Sequence, residues 1–381
     1  MLPLRRFVFG LAALLSASNV PSRTVIHAAR LLDSGSGVDL RDAYVIVSGT
    51  HIDDVVAAGS YRQSAGDSLI ELGGATLIPG LIDAHVHLSL AGTPRDNAEK
   101  TLRAGFTTVA DLGAVTHGIE ALRDSIAGGT AVGPRILAAG LWIGVKDGVC
   151  EFGGIGLTPS PEVFRARVRE NVNAGANLIK ACVTGWPADA WQHPDSAELS
   201  APLLAAIVSS AHAAHRIVVA HSLSAEGVRR SLAAGVDGIV HAAFLDSTLI
   251  AQMRAHHMWM VPTLASLVQA DTSPMSQALR RSVRMAQASG VTIVYGTDAG
   301  VLAHGRNARE ASALVRAGLA PGDVLIAATV NAARALGIAD TVGGVRKGMS
   351  ADLVAVAGDP TIDVTTLERP LFVMARGRVV K

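Results

Sequence analysis

The fold of this 381-residue chain is decided by the stretch Leu77-Ile78-Pro79-Gly80-Leu81-Ile82-Asp83-Ala84-His85-Val86-His87-Leu88. Pro79 and Gly80 interrupt it, and the apolar residues after them predict a buried strand. His85 and His87 end that strand two residues apart, so both imidazoles point to one face. Two imidazoles beside an aspartate form half of a site for a divalent metal. A pair of hydrogen-bonded core histidines would give the same pattern, so further ligands must come from elsewhere.

The composition is that of a large globular protein. The chain has 49% hydrophobic and 17% charged residues, and its formal net charge is +1. Such a sequence can bury a large core. Its Lys and Arg residues are scattered and form no basic run, so we expect a small-molecule partner and no nucleic acid. The sequence does not fix the oligomeric state, and a homo-oligomer is compatible with it.

Residues 1–20 have the order of a secretory signal peptide. Arg5 and Arg6 precede the apolar run 7–15, and the small residues 16–18 follow it. This run is too short to span a bilayer. We therefore predict export to the periplasm or the medium and no other membrane association. A cytoplasmic protein with an N-terminal tail is the alternative.

Cysteine usage predicts no disulfide framework. The chain has two cysteines, Cys150 and Cys182, and neither belongs to a C-x-x-C pair. Cys182 is expected to be a small buried side chain and not a metal ligand.

The two ends of the chain have a strand texture. Residues 23–78 consist of short β-branched runs separated by glycines, with no helix-length pattern. Residues 341–381 return to strands after the helices stop. We predict that both ends form one small β-sandwich domain, with the residues between them inserted as a second domain.

Residues 79–340 alternate apolar strands with helical segments. Strands after the first are predicted at residues 107–111, 135–139, 177–183, 217–221, 238–242, 259–263 and 292–298. Ser160-Pro161-Glu162 shows the capping serine, first-turn proline and acid of a helix start. Eight strands with intervening helices predict a (β/α)₈ TIM barrel, an α/β fold, better than an open sheet.

Polar side chains lie at the predicted strand ends. They are His85, His87, Lys180, His221, His241 and Asp298. The carboxyl ends of the strands of such a barrel form one face, so these residues are expected to converge. Four histidines, a lysine and an aspartate suit two metal ions.

Lys180 stands in an otherwise apolar strand, where a charged amine is costly. Burial lowers the pKa of a lysine and favours the neutral amine. A neutral amine can take up carbon dioxide, and the resulting carbamate could bridge two metals. An ion pair with Asp111 or Asp298 is the alternative. Beside four histidines at strand ends, we favour the ligand.

Six segments resemble, in order, those of the metal-dependent amidohydrolase superfamily, and the resemblance covers residues 24–381. They are residues 78–87, 177–180, 219–221, 238–241, 296–298 and 343–353. The lysine on the fourth strand resembles that of the prolidase-like and dipeptidase-like branch.

This resemblance implies a binuclear centre, with zinc expected, and N6-carboxylysine at Lys180. It implies that His85, His87, Lys180, His221, His241 and Asp298 are metal ligands. A hydroxide shared by the two metals would attack the scissile carbonyl, and Asp298 would act as the catalytic acid and base. The expected reaction is hydrolysis of an amide bond in a dipeptide or N-acyl amino acid.

Two positions depart from the relatives. Leu223 stands where many carry a second histidine, and Leu199 stands where many carry a tyrosine that contacts the substrate carboxylate. Both changes make the site more apolar and favour, as an alternative, hydrolysis of an ester, lactone or other non-peptide substrate. A non-catalytic scaffold is less favoured because every ligand position is filled. His304 is a candidate substrate contact, with helix capping or surface exposure as the alternative.

Overall fold

The computed structural model describes residues 23–267 and 272–381. The predicted signal peptide lies outside the described residues. Within them, no helix combines the length and the apolar character needed to cross a bilayer.

The described residues form fifteen β-strands. They are β1 (Arg23–Asp33), β2 (Val38–Ser48), β3 (His51–Ala57), β4 (Asp67–Glu71), β5 (Thr76–Pro79), β6 (Leu81–Val86), β7 (Phe106–Asp111), β8 (Arg135–Ala138), β9 (Ile179–Cys182), β10 (Val218–Ser222), β11 (Gly238–His241), β12 (Trp259–Val261), β13 (Leu353–Val356), β14 (Phe372–Ala375) and β15 (Arg378–Val379).

The α-helices lie between β6 and β13. They are α1 (Pro94–Arg103), α2 (Gly118–Ala127), α3 (Pro161–Asn173), α4 (Pro187–Gln192), α5 (Ala201–Ala213), α6 (Ala225–Ala234), α7 (Ser247–Ala255), α8 (Leu264–Leu267), α9 (Pro274–Ala288), α10 (Arg309–Arg316), α11 (Pro321–Ile326) and α12 (Ala332–Ala335). A π-helical turn (Ala327–Asn331) joins α11 to α12, and short 3₁₀ turns cover Ala58–Ser60 and Val364–Glu368.

Both chain ends belong to one eight-stranded sheet. Its order is β15-β14-β13-β5-β1-β2-β3, and β4 pairs with β1. The sheet has a hydrophobic cluster of its own, which includes Ile26, Leu77, Leu353 and Phe372. The chain ends therefore share a sheet, while the second layer of a sandwich and the domain limits at residues 78 and 340 stay predictions.

The remaining strands are parallel and have the arrangement of a TIM barrel. One sheet has the order β6-β7-β8 and another has the order β12-β11-β10-β9. Isolated bridges connect these sheets to each other and to an extended segment after α9; they are Ile143 with Ala181, Met260 with Ile293, and Val86 with Ala299. Strand and connecting segments thus run around a closed ring of eight.

The predicted eighth strand, residues 292–298, is not a regular strand. It forms isolated bridges only, and its backbone is irregular because Asp298 has a φ of 57°. Its backbone still bonds to β6, since the Ala84 N–H donates to Tyr295 O at 2.9 Å and the Asp298 N–H donates to His85 O at 2.7 Å. The segment therefore closes the ring without a continuous ladder.

The stretch 77–88 forms two strands in different sheets. β5 pairs with β1 and β13, whereas β6 after Gly80 pairs with β7 of the barrel. A Cβ at Gly80 would lie 2.1 Å from Thr107 Oγ1, so the chain can pass this point only without a side chain. The chain thus passes from the terminal sheet into the barrel at Gly80.

The structure corrects the prediction for the cysteines. Cys150 and Cys182 form a disulfide with their Cα atoms 6.2 Å apart. It joins the loop after β8 to β9, two residues beyond Lys180. Local sequence carries no signal for this bond, because the partners are 32 residues apart and only the barrel brings the loop against the strand.

Candidate metal centre

Three of the six predicted ligands form a tight cluster. His85 Nε2 lies 3.3 Å from His87 Nε2, and Asp298 Oδ1 lies 3.4 Å and 3.5 Å from these two nitrogens. All three ligand atoms lie within 4.8 Å of one another, and all three residues are buried. The β6 histidines therefore meet the aspartate that lies next to them across the closure of the barrel.

The other two histidines form a neighbouring pair. His221 is the next-to-last residue of β10 and His241 ends β11, and their ring centroids are 4.6 Å apart. The ring of His241 is also 5.4 Å from that of His85. The two groups of ligands thus lie side by side, as a binuclear centre requires.

A hydrogen bond to one ring nitrogen fixes the tautomer of His87, and another fixes that of His221. His87 Nδ1 is 3.1 Å from Gly113 O, and His221 Nε2 is 3.2 Å from Gly185 O. A carbonyl oxygen only accepts, so each of these nitrogens carries the proton. The other nitrogen of each ring then keeps a free lone pair, which is the form that binds a metal.

His241 is fixed in the same way by a side chain. Thr263 Oγ1 donates its proton to Pro262 O at 2.8 Å, and it lies 2.6 Å from His241 Nδ1. Because the hydroxyl proton is used, Oγ1 accepts from the imidazole. His241 Nε2 therefore carries the lone pair. Thr263 has no metal-ligand chemistry of its own, and this role was missed at the sequence level.

The histidines are neutral. Burial lowers the pKa of His87 and of His221 to about 3, and it lowers the pKa of His85 and His241 well below the ordinary value. The positive charge of Lys180 acts in the same direction on all four. Four neutral imidazoles in one pocket are suited to bind cations and not to carry protons.

Lys180 is buried, and its Nζ has no hydrogen-bond partner among the described residues. Burial lowers its pKa to about 7, against the opposing attraction of Asp298. The alternative pairing with Asp111 is not formed, because that carboxylate accepts from the N–H groups of Leu88 and Gly113. Lys180 thus offers the unpaired, readily neutral amine that carbamate formation needs.

Asp298 combines a strained backbone with a perturbed carboxyl group. Its φ of 57° and the φ of 77° at His241 are left-handed, a conformation that L-residues keep mainly at functional sites. Burial raises the pKa of Asp298 to about 6, although Lys180 opposes the shift. A carboxyl group with such a pKa can accept and return a proton near neutral pH.

A second carboxylate braces this region from behind. Asp83 accepts hydrogen bonds from the Thr297 backbone N–H at 3.0 Å and from Asn307 Nδ2 at 2.7 Å. It also accepts from the His85 N–H at 3.1 Å. This bracing role was not predicted from the sequence, where Asp83 was noted only as an acid near the histidines.

His304 is not among the described residues that line the cavity. Its Nε2 lies 3.2 Å from His87 O and its Nδ1 lies 3.2 Å from Thr101 Oγ1. The ring therefore supports the backbone of a predicted ligand, and the substrate contact of His304 stays a prediction.

The ligands lie in a cavity of about 710 Å³, a size suited to small molecules. Lys180 and the four histidines line it together with Asp298. Its other walls are largely apolar and include Leu90, Trp142, Val149, Phe152, Trp186 and Trp191. Cys150 also lines it, and its bond to Cys182 ties this part of the wall to β9.

These residues fit divalent metals. Neutral imidazoles and a carboxylate converge within 4.8 Å, and an amine with no partner is buried beside them. Without a cation, such a collection of buried polar atoms would be costly. Imidazole and carboxylate ligands are those that zinc and similar ions take.

Comparison with known proteins identifies the family. The model of the amidohydrolase family matches residues 76–381. This chain belongs to the amidohydrolase family. The name of the family describes its reaction class, and the relatives of this chain include enzymes. The chain is therefore a hydrolase that acts on carbon–nitrogen bonds of small molecules.

Relatives of this amidohydrolase cover almost its whole length. The structure of a Xaa-Pro dipeptidase with bound methionine has a TM-score of 0.88 and 29% identity, over 94% of this chain and 99% of that one. A prolidase-like protein from Bifidobacterium longum gives 0.85 and 33%, over 94% of each chain. Ochratoxinase of Aspergillus niger is 26% identical over 94% of this chain and 86% of its own.

Proposed function

We propose that this amidohydrolase cleaves an amide bond with two divalent metal ions, with zinc expected. The observation that carries the proposal is the convergence of His85, His87 and Asp298 beside the pair His221 and His241. Lys180 completes the set as N6-carboxylysine, a group with two oxygens that could serve both ions. Its buried amine without a partner supports this assignment.

In the proposed reaction, Asp298 moves the proton. When bound, the ions supply Lewis acidity and lower the pKa of water toward about 7. The oxygen of water bonds to the carbonyl carbon while the carbon–nitrogen bond breaks. Asp298 takes a proton from the attacking water and returns it to the leaving nitrogen, which gives a carboxylic acid and an amine.

The side chains of the substrate are a finer part of the proposal. Similarity to a Xaa-Pro dipeptidase and a prolidase-like protein supports a dipeptide or N-acyl amino acid. The alternative is an ester, lactone or other non-peptide substrate. It is supported by Leu199 at the position of the relatives' tyrosine, since this leucine is fully buried and cannot bind a carboxylate.

Metal analysis of the purified protein tests the centre. We expect close to two divalent ions per chain and loss of turnover when a chelator removes them. Lys180→Ala should lose at least one ion, whereas Lys347→Ala, at an exposed position, should lose none. A protein that is active without metal would contradict the proposal, and full metal content in Lys180→Ala would exclude the bridging lysine.

Replacement of the acid–base residue tests the reaction itself. Asp298→Asn should lower kcat by about 10²- to 10⁴-fold, because an amide cannot carry the proton. Metal content measured on the same sample separates this loss from loss of an ion. Undiminished kcat with both ions present would remove Asp298 from the proton transfer.

We also propose export. The N-terminal sequence supports it, and so does the disulfide between Cys150 and Cys182, since such bonds persist in oxidising compartments. The N-terminal residue of protein purified from its native source tests it. A mature chain that begins beyond residue 16 is expected, and an intact N-terminus would contradict cleavage.

A further inference from the structure

We propose that the cavity takes an uncharged ligand with an aromatic group beside the scissile bond, and excludes ligands with a free carboxylate. This inference names the substrate class of the site and favours the uncharged alternative over dipeptides and N-acyl amino acids, which carry a carboxylate. It rests on the proposed function for the reaction, although not for binding. Three features of the cavity carry it: a wall of rings, an apolar mouth and the distribution of cations.

A row of aromatic rings leads from the metal ligands outward. The ring of Trp142 is 5.3 Å from His87, that of Phe152 is 4.8 Å from Trp142, and that of Trp186 is 5.9 Å from Phe152. These spacings are those at which aromatic rings attract one another. A flat aromatic group of a ligand could extend the same row while its carbonyl lies at the metal ligands.

The outer part of the cavity remains open and apolar. Trp186 and Trp191 are 50% and 47% exposed, and Val301 is 61% exposed. Large apolar side chains left this exposed around a cavity mark a place where an apolar ligand is bound. Ligand rings that cover them would remove apolar surface from water at about 25 cal/mol per Å².

The described walls of the cavity offer no counter-charge for a carboxylate away from the ligand cluster. Lys180 is the one Lys or Arg among its described lining residues, and it stands with the histidines. Ser266 and Ser273 are polar, but both hydroxyls already have partners: Ser266 Oγ donates to Thr263 O, and Ser273 Oγ accepts from the Ser276 N–H and lies 2.6 Å from Ser276 Oγ. A carboxylate that leaves water in this part of the cavity would therefore lack a partner, which is costly.

Arginines lie nearby, in a different cleft. This cleft of about 540 Å³ shares Trp191 and Pro274 with the cavity, and it is lined by Arg280, Arg281 and Arg284 of α9. None of these arginines is among the described residues that line the cavity. Substitution of an arginine therefore tells whether a carboxylate reaches this cleft.

Two matched sulfonamides test binding without hydrolysis. N-(2-phenylethyl)benzenesulfonamide and N-(benzenesulfonyl)phenylalanine share two rings and differ by one carboxylate. Quenching of tryptophan fluorescence in the zinc-loaded protein gives their Kd values. We expect the uncharged compound to bind at least about tenfold more tightly. The metal ions attract carboxylates and so favour binding of the carboxylate compound, which makes the comparison a stringent test.

Variants locate the binding surface. Trp186→Ala should raise the Kd of the uncharged compound about fivefold, Trp186→Phe should restore it, and Ile362→Ala should leave it unchanged. Ile362 is an exposed apolar residue outside the cavity lining. An unchanged Kd in Trp186→Ala would overturn the aromatic part of the inference.

Two further outcomes decide the rest. Equal or tighter binding of the carboxylate compound would overturn the charge selectivity, and its loss in Arg281→Ala would assign carboxylate binding to the arginine cleft. The corresponding benzamides, assayed for turnover, separate this inference from the proposed function. Tight binding of the uncharged sulfonamide without hydrolysis of either benzamide would refute the proposed reaction and leave the ligand class supported.

Discussion

The carboxylate of Asp83 accepts a 2.6 Å hydrogen bond from the hydroxyl of Thr297, the residue before Asp298. Asp83 precedes His85 by two residues on β6, and the His85 N–H donates to the same carboxylate. One side chain thus holds the strand of the histidines and the segment of the aspartate in register. The distance between His85 and Asp298 therefore depends on a buried residue that is not among the described residues lining the cavity.

Asp83→Asn should loosen this register. Its oxygens accept from Thr297 and from Asn307, and the new amide would place N–H groups against one of these donors. We expect a loss of about 1–3 kcal/mol in unfolding free energy and about a 10- to 100-fold loss in metal affinity. Denaturant unfolding and metal titration measure both. Asp340→Asn, at an exposed position, is the control, and equal behaviour of the two variants would contradict the bracing role.

Thr263→Val should weaken metal binding with little effect on the fold. The hydroxyl accepts the His241 Nδ1–H, and valine keeps the shape but not the oxygen. Without this partner the ring can turn or change tautomer, so we expect about a 10- to 100-fold loss in metal affinity. Thr263→Ser keeps the hydroxyl and should bind metal like the parent. If the serine and valine variants bind metal equally, the hydrogen bond does not orient His241.

The double variant Cys150→Ser, Cys182→Ser should be less stable by about 3–4 kcal/mol, the value expected for a closed loop of about 30 residues. The bond holds the loop that carries Phe152, so KM for an aromatic amide should rise more than kcat falls. Thermal unfolding with and without reductant, and steady-state kinetics, measure these effects. The double variant should not respond to reductant. A parent that keeps its Tm in reductant would show that the bond contributes nothing.

Glu310 should make the free energy of unfolding depend on pH, and a single substitution can isolate this effect. It is fully buried, its two oxygens accept from the N–H groups of Leu264 and Ala265, and burial raises its pKa to about 8. In the unfolded chain the carboxyl ionises near pH 4.5, whereas in the folded protein it keeps its proton to about pH 8. Its contribution to stability is therefore present below about pH 4.5 and is lost as the pH rises toward 8.

Glu310→Gln removes this titration. The variant should be less stable at pH 5, since its amide N–H groups oppose a backbone donor, and the difference from the parent should shrink between pH 5 and pH 8. Denaturant unfolding at several pH values measures the difference. A difference that stays constant between pH 5 and pH 8 would mean that the two backbone hydrogen bonds keep the carboxylate ionised against the effect of burial.

The sequence predicts the parallel α/β architecture well because its signals are local. Apolar strands alternate with helical segments, and seven of the eight predicted barrel strands reappear as β6–β12. Residues 292–298 form no ladder: Ile293 makes a single bridge to Met260, and the segment ends at Asp298 with a left-handed φ that residue types do not encode. The split of the first stretch at Gly80 depends on contact with Thr107, which also lies beyond local sequence.

The site shows the same division. His85 and His87 are recognisable from their spacing, and strand ends point to the other ligands. Thr263 could not be predicted, because a hydroxyl near a histidine is chemically ordinary until the fold brings Oγ1 within 2.6 Å of it. His304 was assigned to the substrate on its position after the last strand, but it contacts the backbone of His87.

By itself, the sequence determined which chemistry is available: histidines, a lysine and an aspartate at the ends of apolar strands, which supply metal ligands and a proton acceptor. Residue type and strand periodicity suffice for this, because both are local properties. Tertiary structure alone decided how His85 and Asp298 meet, that Cys150 bonds to Cys182, and that aromatic rings wall the cavity. These are distances between segments far apart in the chain, and they exist only once the barrel has closed.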